Sequence, residues 1–263
     1  MIDALFPMRC AGCGRGAWPF CGSCRSELVV LSGPGCARCG MPALEDVQRC
    51  RHCPPPPVAT ARAPFAYRGP ARSALLRLKF NGWRTVAEAL GGAMAAVHAG
   101  PADAVTWVPL SPGRRADRGY DQARALAAVV SKRLGLSLVP LLERVTDTPP
   151  QSSRGGAERR RAMRGAFRAI GGRAPPARVL LVDDVLTTGA TAAECASVLR
   201  SAGALEVALL TAARATSEAL PARCYHRVGL PTESVVARER GDSHPVVDAS
   251  RRRNDPRKGT VGS

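Results

Sequence analysis

Apolar and polar positions divide the chain into three stretches of different character. Between residues 59 and 236 the apolar positions are periodic. Leu75, Leu76 and Leu78 mark helical spacing over 70–80, and Val86, Leu90, Met94 and Val97 mark it over 84–98. Further helices are predicted over 117–134, where Leu126, Val129 and Val130 share a face, and over 190–202. Continuous apolar runs predict buried strands at 104–110, 178–183 and 205–212, with shorter ones at 64–68 and 136–142. Strand and helix alternate, so the expected class is α/β, a mostly parallel sheet flanked by helices. Residues 147–164, rich in Pro, Ser, Gly and then Arg, read as a loop. From about 237 the chain turns polar and basic without periodicity, which predicts a disordered tail over 237–263.

The first 58 residues follow another rule. Eight of the ten cysteines lie there, as four pairs with a two-residue gap: Cys10/Cys13, Cys21/Cys24, Cys36/Cys39 and Cys50/Cys53. Such a gap lets one tight turn aim two sulfurs at one tetrahedral ion, and two turns close a four-sulfur site. Eight cysteines therefore predict two structural zinc ions. Sequential use of the pairs is preferred because 25–35 can separate two ribbons; an interleaved pairing has the same stoichiometry. Disulfides are disfavoured. The amino terminus lacks a basic stretch followed by an apolar run, so no secretory signal is expected and the chain reads as cytoplasmic. No apolar run approaches the ~20 residues of a membrane span. Closed thiolate sites substitute for a core in a segment too short to build one. Pro54, Pro55, Pro56 and Pro57 then form a stiff spacer. The expected domains are 1–58, a double zinc ribbon; 59–236, the α/β domain; and 237–263, the tail.

Charge sharpens this picture. The formal net charge is +17, from 38 basic and 21 acidic residues. Only Lys79, Lys132 and Lys258 are lysines, and 151–178 holds eight arginines against Glu158. Thiolate zinc sites would turn the ribbon segment negative, so the positive potential belongs to the α/β domain. Anionic partners follow: nucleic acid or phosphorylated small molecules.

The most informative stretch is Val179-Leu180-Leu181-Val182-Asp183-Asp184-Val185-Leu186-Thr187-Thr188-Gly189-Ala190-Thr191. An apolar strand leads into two carboxylates, a hydroxyl-rich bend and a helix start. Ligands of open α/β sheets bind beyond the carboxyl ends of strands. A helix start offers unpaired N–H groups and a positive dipole end to a phosphate. Thr187, Thr188 and Thr191 add hydroxyl donors, and Gly189 permits close approach. Asp183 and Asp184 repel phosphate but suit sugar hydroxyls. The stretch reads as a cradle for ribose 5-phosphate. It is neither a Walker A loop nor a dinucleotide fingerprint.

This string resembles the 5-phosphoribosyl-1-pyrophosphate (PRPP) binding motif of type I phosphoribosyltransferases; Ala190 stands where a second Gly is common. Four cysteine pairs ahead of such a domain resemble the ComF (ComFC-like) family, double zinc ribbon included. Leu78-Lys79-Phe80 with Gly82, Val108-Pro109-Leu110, Arg114-Arg115 with Arg118-Gly119-Tyr120-Asp121-Gln122-Ala123, Gln151, Glu158-Arg159 and Gly165-Ala166-Phe167 look like its internal motifs. Arg154 and Ala162 depart from it. The resemblance implies that Asp183 and Asp184 hold the ribose hydroxyls and that Thr187, Thr188, Gly189, Ala190 and Thr191 hold the 5′-phosphate. The turn after 105–110 can present amides to pyrophosphate. Lys79, Arg114, Arg115 and Arg118 could neutralise it, with magnesium bridging phosphate and ribose oxygens.

Two functions compete. One is a magnesium- and PRPP-dependent transferase with an unspecified acceptor, linked to DNA uptake or nucleotide metabolism. The other is a non-enzymatic competence factor that binds single-stranded DNA. A zinc-ribbon contact to a competence-machinery protein is compatible with both. Aromatics make up only 4% of the chain, so DNA binding should be backbone-driven and salt-sensitive.

Overall fold

The computed structural model describes residues 9–146, 165–171 and 174–216, together with the backbone of 225–226. In chain order it contains α1 (Gly22–Glu27), β1 (Val30–Leu31), β2 (Thr60–Arg62), β3 (Phe65–Ala66), α2 (Gly69–Phe80), α3 (Val86–Ala96), β4 (Ala104–Trp107), α4 (Pro112–Arg118) and α5 (Gln122–Leu134). There follow β5 (Ser137–Leu138), β6 (Leu142–Arg144), β7 (Phe167–Ala169), β8 (Arg178–Leu186), α6 (Ala190–Ser201), β9 (Glu206–Arg214) and β10 (Tyr225–His226).

Eight strands form one sheet in the order β10-β1-β3-β9-β8-β4-β5, with β2 also on β9. β2, β3, β8, β4 and β5 pair in parallel, as the alternating pattern predicted, while β1 joins β3 and β10 antiparallel. β8 lies in the middle and is apolar from Val179 to Val182 because both faces are covered. Val179 and Leu181 share a cluster with Ala192, Cys195, Ala196 and Leu199 of α6. Leu180 and Val182 point to the opposite face, where α5 packs.

Several elements differ from their expected bounds. The strand expected over 104–110 ends at Trp107, and the one expected over 205–212 runs on to Arg214. The helix expected over 117–134 is two helices. Gly119, at φ 69°, ends α4, and the Asp121 side chain caps α5 through the Arg124 amide at 3.1 Å. The strand expected over 136–142 breaks before Pro140, which cannot donate to a ladder, and β6 pairs with β7 in a separate sheet. The strand expected over 178–183 runs on to Leu186. The loop expected at 147–164, with Gln151, Arg154, Glu158, Arg159 and Ala162, lies outside the described residues, as does the tail 237–263.

The cysteine segment is packed on the sheet. Cys36, Cys39 and Met41 are buried in the same cluster as Leu186 and Leu209. Arg38 donates to the carbonyls of Val58 and Ala59, at 2.6 and 3.1 Å, and Arg62 donates to that of Ala37 at 2.7 Å. The first cysteine turn leans on α2, where the Arg77 guanidinium donates to the Gly12 carbonyl and stacks on Trp83.

Candidate functional site

The acidic doublet sits three residues inside the carboxyl end of β8. Because the strand continues through it, the two side chains leave on opposite faces. Asp184 is 7% exposed and points towards α2 and α5. Its Oδ2 accepts from Lys79 Nζ at 2.6 Å and from Gln122 Nε2 at 3.2 Å. Arg118 in turn donates to Gln122 Oε1 at 3.0 Å and stacks over the Phe80 ring. Burial pulls the Lys79 ammonium down, but the Asp184 carboxylate, with Asp183 beyond it, more than offsets this and leaves the group raised.

Asp183 is half-buried, and its Oδ1 accepts from the Asp184 amide at 2.8 Å. Burial, then the charge on Asp184, pushes its carboxyl up to about 8, against the opposing pull of that amide and of Lys79. Among the described residues, Oδ2 of Asp183 and Oδ1 of Asp184 have no partner. The doublet is thus asymmetric: one acid is clamped by a cation and an amide, the other held close to neutral.

The bend after β8 is open at its crown. Thr187 and Thr188 are exposed, Thr191 is half-buried, and Gly189 and Ala190 are buried. Gly189, at φ 74°, starts α6 and has no side chain to cap it, and the Ala190 amide reaches Thr188 Oγ1 at 3.4 Å. A β-carbon on Gly189 would lie 2.7 Å from Pro54 Cβ and 3.2 Å from Pro55 Cδ. The glycine therefore serves close packing against the proline spacer as well as the turn.

The expected pyrophosphate residues divide. Lys79 and Arg118 belong to the Asp184 cluster. Arg115 is exposed, with its guanidinium 3.9 Å from Asp121 Oδ2, and Arg114 is half-buried beside it on α4. Of the amides in the turn after β4, that of Leu110 is already bound to Asp121 Oδ2 at 3.2 Å. Gln122, the amide donor to Asp184, shows in the sequence only as the first residue of a helix after a capping Asp. Arg214, buried at the end of β9, carries a single signal in the sequence, a cation that closes an apolar strand.

The cysteines form two groups, Cys10/Cys13/Cys21/Cys24 and Cys36/Cys39/Cys50/Cys53, each with its sulfurs within 4.8 Å of one another. The pairing is sequential. Cys36 and Cys53 lie 3.5 Å apart, Cys39 and Cys50 3.5 Å, and Cys13 and Cys21 3.7 Å. Tetrahedral Zn–S bonds of ~2.3 Å place sulfurs ~3.8 Å apart, whereas a disulfide needs ~2.05 Å. The backbone of Cys24 and the Ser23 hydroxyl lower the Cys21 thiol to about 6. Burial and neighbouring thiols raise Cys24, and burial, with Cys39, pushes Cys50 up to about 12. Each cluster thus mixes thiols that ionise easily, Cys10 and Cys21 in the first and Cys36 in the second, with thiols that resist, Cys24 in the first and Cys50 and Cys53 in the second, a conflict that a dication would remove.

Two four-thiolate knuckles ahead of a parallel sheet with this doublet and bend define a double-zinc-ribbon protein with a phosphoribosyltransferase-like domain. Residues 1–54 match the family described as "Double zinc ribbon domain". The chain is 30% identical over 221 residues to "Competence protein F" of Haemophilus influenzae, covering 78% of this chain and 90% of that one. It belongs to the ComF family. "DNA utilization protein YhgH" of Escherichia coli is 30% identical over 206 residues, covering 73% of this chain and 88% of its own. A solved glutamine PRPP amidotransferase from B. subtilis shares 28% identity over 48% of this chain and 26% of its own. Its TM-score of 0.35 is too low to bear on the fold.

Proposed function

We propose that this ComF protein binds PRPP or another ribose 5-phosphate ligand in the β8–α6 bend and acts as a phosphoribosyltransferase. The observation that carries the reading is the Lys79–Asp184–Gln122–Arg118 cluster beside the bend. It neutralises one acid and orients its free oxygen, while Asp183 offers a second acceptor. Thr187, Thr188, Thr191 and the first amides of α6 would take the 5′-phosphate. Phosphoribosyl transfer runs through an oxocarbenium-like state, so positioning and leaving-group stabilisation suffice and no nucleophile is required. Magnesium, held mainly by the ligand's own oxygens, would supply charge neutralisation at the pyrophosphate. Arg114 and Arg115 lie on the element that would face that group. Residues 1–58 support this site, 59–236 carry it, and the cytoplasm is the compartment the thiolates suit.

Calorimetry with PRPP and magnesium tests the reading. Wild type should bind, and Asp183→Asn with Asp184→Asn should abolish the heat. A silent wild type overturns the proposal. If binding is seen, pyrophosphate release across nucleobases would identify the acceptor.

A second reading, single-stranded DNA binding in support of DNA uptake, draws on a different surface. A groove of about 1120 Å³ beside β4 and β5 is lined by Arg84, Arg115, Arg124 and Arg144 together with Trp107 and Tyr120. Trp107 Nε1 and Tyr120 Oη are buried there without a hydrogen-bond partner among the described residues. Trp107 is buried under the Arg124 guanidinium and Tyr120 lies under that of Arg84, so the groove offers cations to a phosphate backbone rather than open rings to a base. The relatives named for competence and DNA utilization favour this context, and a competence-machinery partner fits it. Among the described residues no helix is long and apolar enough to cross a membrane.

A further inference from the structure

Arg214, the last residue of β9, is the largest fully buried side chain among the described residues. No carboxylate there lies within ion-pair distance of it, and its Nε has no acceptor. A buried guanidinium without a counter-charge is costly. What it does face is the second cysteine cluster. One terminal nitrogen donates to the carbonyl of Cys39 at 2.6 Å, and the other to that of His52, between Cys50 and Cys53, at 2.9 Å. Four thiolates around Zn²⁺ carry a net charge of −2. A zinc-loaded knuckle would supply the counter-charge that the described carboxylates do not.

The same arginine is tied to the ligand bend. It pairs with Leu186 across the β8–β9 ladder, and the Ala215 amide donates to the Leu186 carbonyl at 2.8 Å. Leu186 is the residue from which the bend departs. At the far end of the bend, Gly189 is walled by Pro54 and Pro55, which directly follow Cys53. One knuckle therefore touches the bend at both ends, through Arg214 at its root and through two prolines at its turn.

We propose that the second zinc knuckle positions the phosphate-binding bend, with Arg214 as the positioning residue and Pro54 and Pro55 as its wall. The inference rests on the reading of that bend as the 5′-phosphate site. The knuckle is thereby part of the binding machinery, holding the two ends of the bend over residues 186–191.

Hydrogen exchange on the full, zinc-loaded chain reads this without a ligand. In Arg214→Met, the hydrogen-bonded amides that hold the two ends of the bend, Ala215 on the Leu186 carbonyl and Ala193 on the Gly189 carbonyl, should exchange about tenfold faster, while 179–182 hold their wild-type rates. Arg214→Lys should recover part of the protection. Pro54→Ala with Pro55→Ala should loosen the same amides, and this variant carries the test if Arg214→Met does not fold. Ribose 5-phosphate titrated into the Met variant should bind about tenfold more weakly than into wild type. Unchanged exchange of the Ala215 and Ala193 amides in the variants that fold overturns the coupling. If wild type fails to bind ribose 5-phosphate while the bend still responds to these changes, the phosphate reading falls and the coupling stands.

Discussion

Lys79 and Asp184 show what a residue type means once its neighbour is known. The sequence placed Lys79 on a helix face, where a basic side chain is commonly solvated, and offered it to pyrophosphate. In the fold it is mostly buried at 2.6 Å from Asp184. Lys79→Met would leave that carboxylate buried without its cation, and denaturant unfolding should record a loss of about 3 kcal/mol. Asp183 adds a pH signature. Its raised carboxyl keeps a proton that the unfolded chain releases near 4, so the stability it contributes falls as pH rises towards about 8 and levels off above. Ligand hydroxyls and magnesium favour the carboxylate. PRPP binding at neutral pH should therefore release protons, seen as a buffer-dependent calorimetric heat, and affinity should climb towards pH 9. A heat independent of buffer ionisation would contradict this. Gln122 could not be recognised from spacing alone, because its role depends on α5 meeting β8, 62 residues away in sequence.

At the scale of elements, periodicity located the main helices and strands within a few residues. It failed where local chemistry interrupts a continuous apolar stripe. Gly119 and Asp121 form a helix stop and a cap inside one apparent helix, and both residue types were legible signals. The carboxyl end of β8 failed for another reason. Asp183 and Asp184 disfavour a strand by propensity, yet β9 supplies ladder partners as far as Leu186, and pairing overrides propensity. Gly189 belongs here as well. Gly189→Ala meets both a left-handed backbone and Pro54 at 2.7 Å. It should cost about 1–3 kcal/mol of stability in a thermal melt, and ligand affinity should drop with it.

At the scale of the whole molecule, the zinc ribbons are joined to the sheet. The first leans on α2, which carries Lys79, and the second on the bend after β8. Metal analysis should return about two zinc per chain. Removing it should do more than release a terminal module; core amides around Leu209 and Leu186 should lose protection, because Cys36 and Cys39 are part of that core. The groove makes a prediction of its own. Single-stranded DNA binding, measured by fluorescence anisotropy, should weaken by about tenfold or more between ~50 and ~200 mM salt. Arg84→Ala with Arg124→Ala should flatten that slope, and an unaltered slope would move DNA off this surface.

The eight cysteines and the thirteen-residue string around the acidic doublet were readable in one dimension, since each is a local pattern: a spacing that one turn can close, and a strand, bend and helix in succession. The α/β class was readable for the same reason, through periods of two and of about 3.6 residues. What the string could not contain was the company its acids keep. Lys79, Arg118 and Gln122 reach Asp184 from two helices, and Arg214 reaches Cys39 across 175 positions of chain. Such contacts are set by which faces pack against which, a property of the folded sheet and its layers that no window of sequence holds.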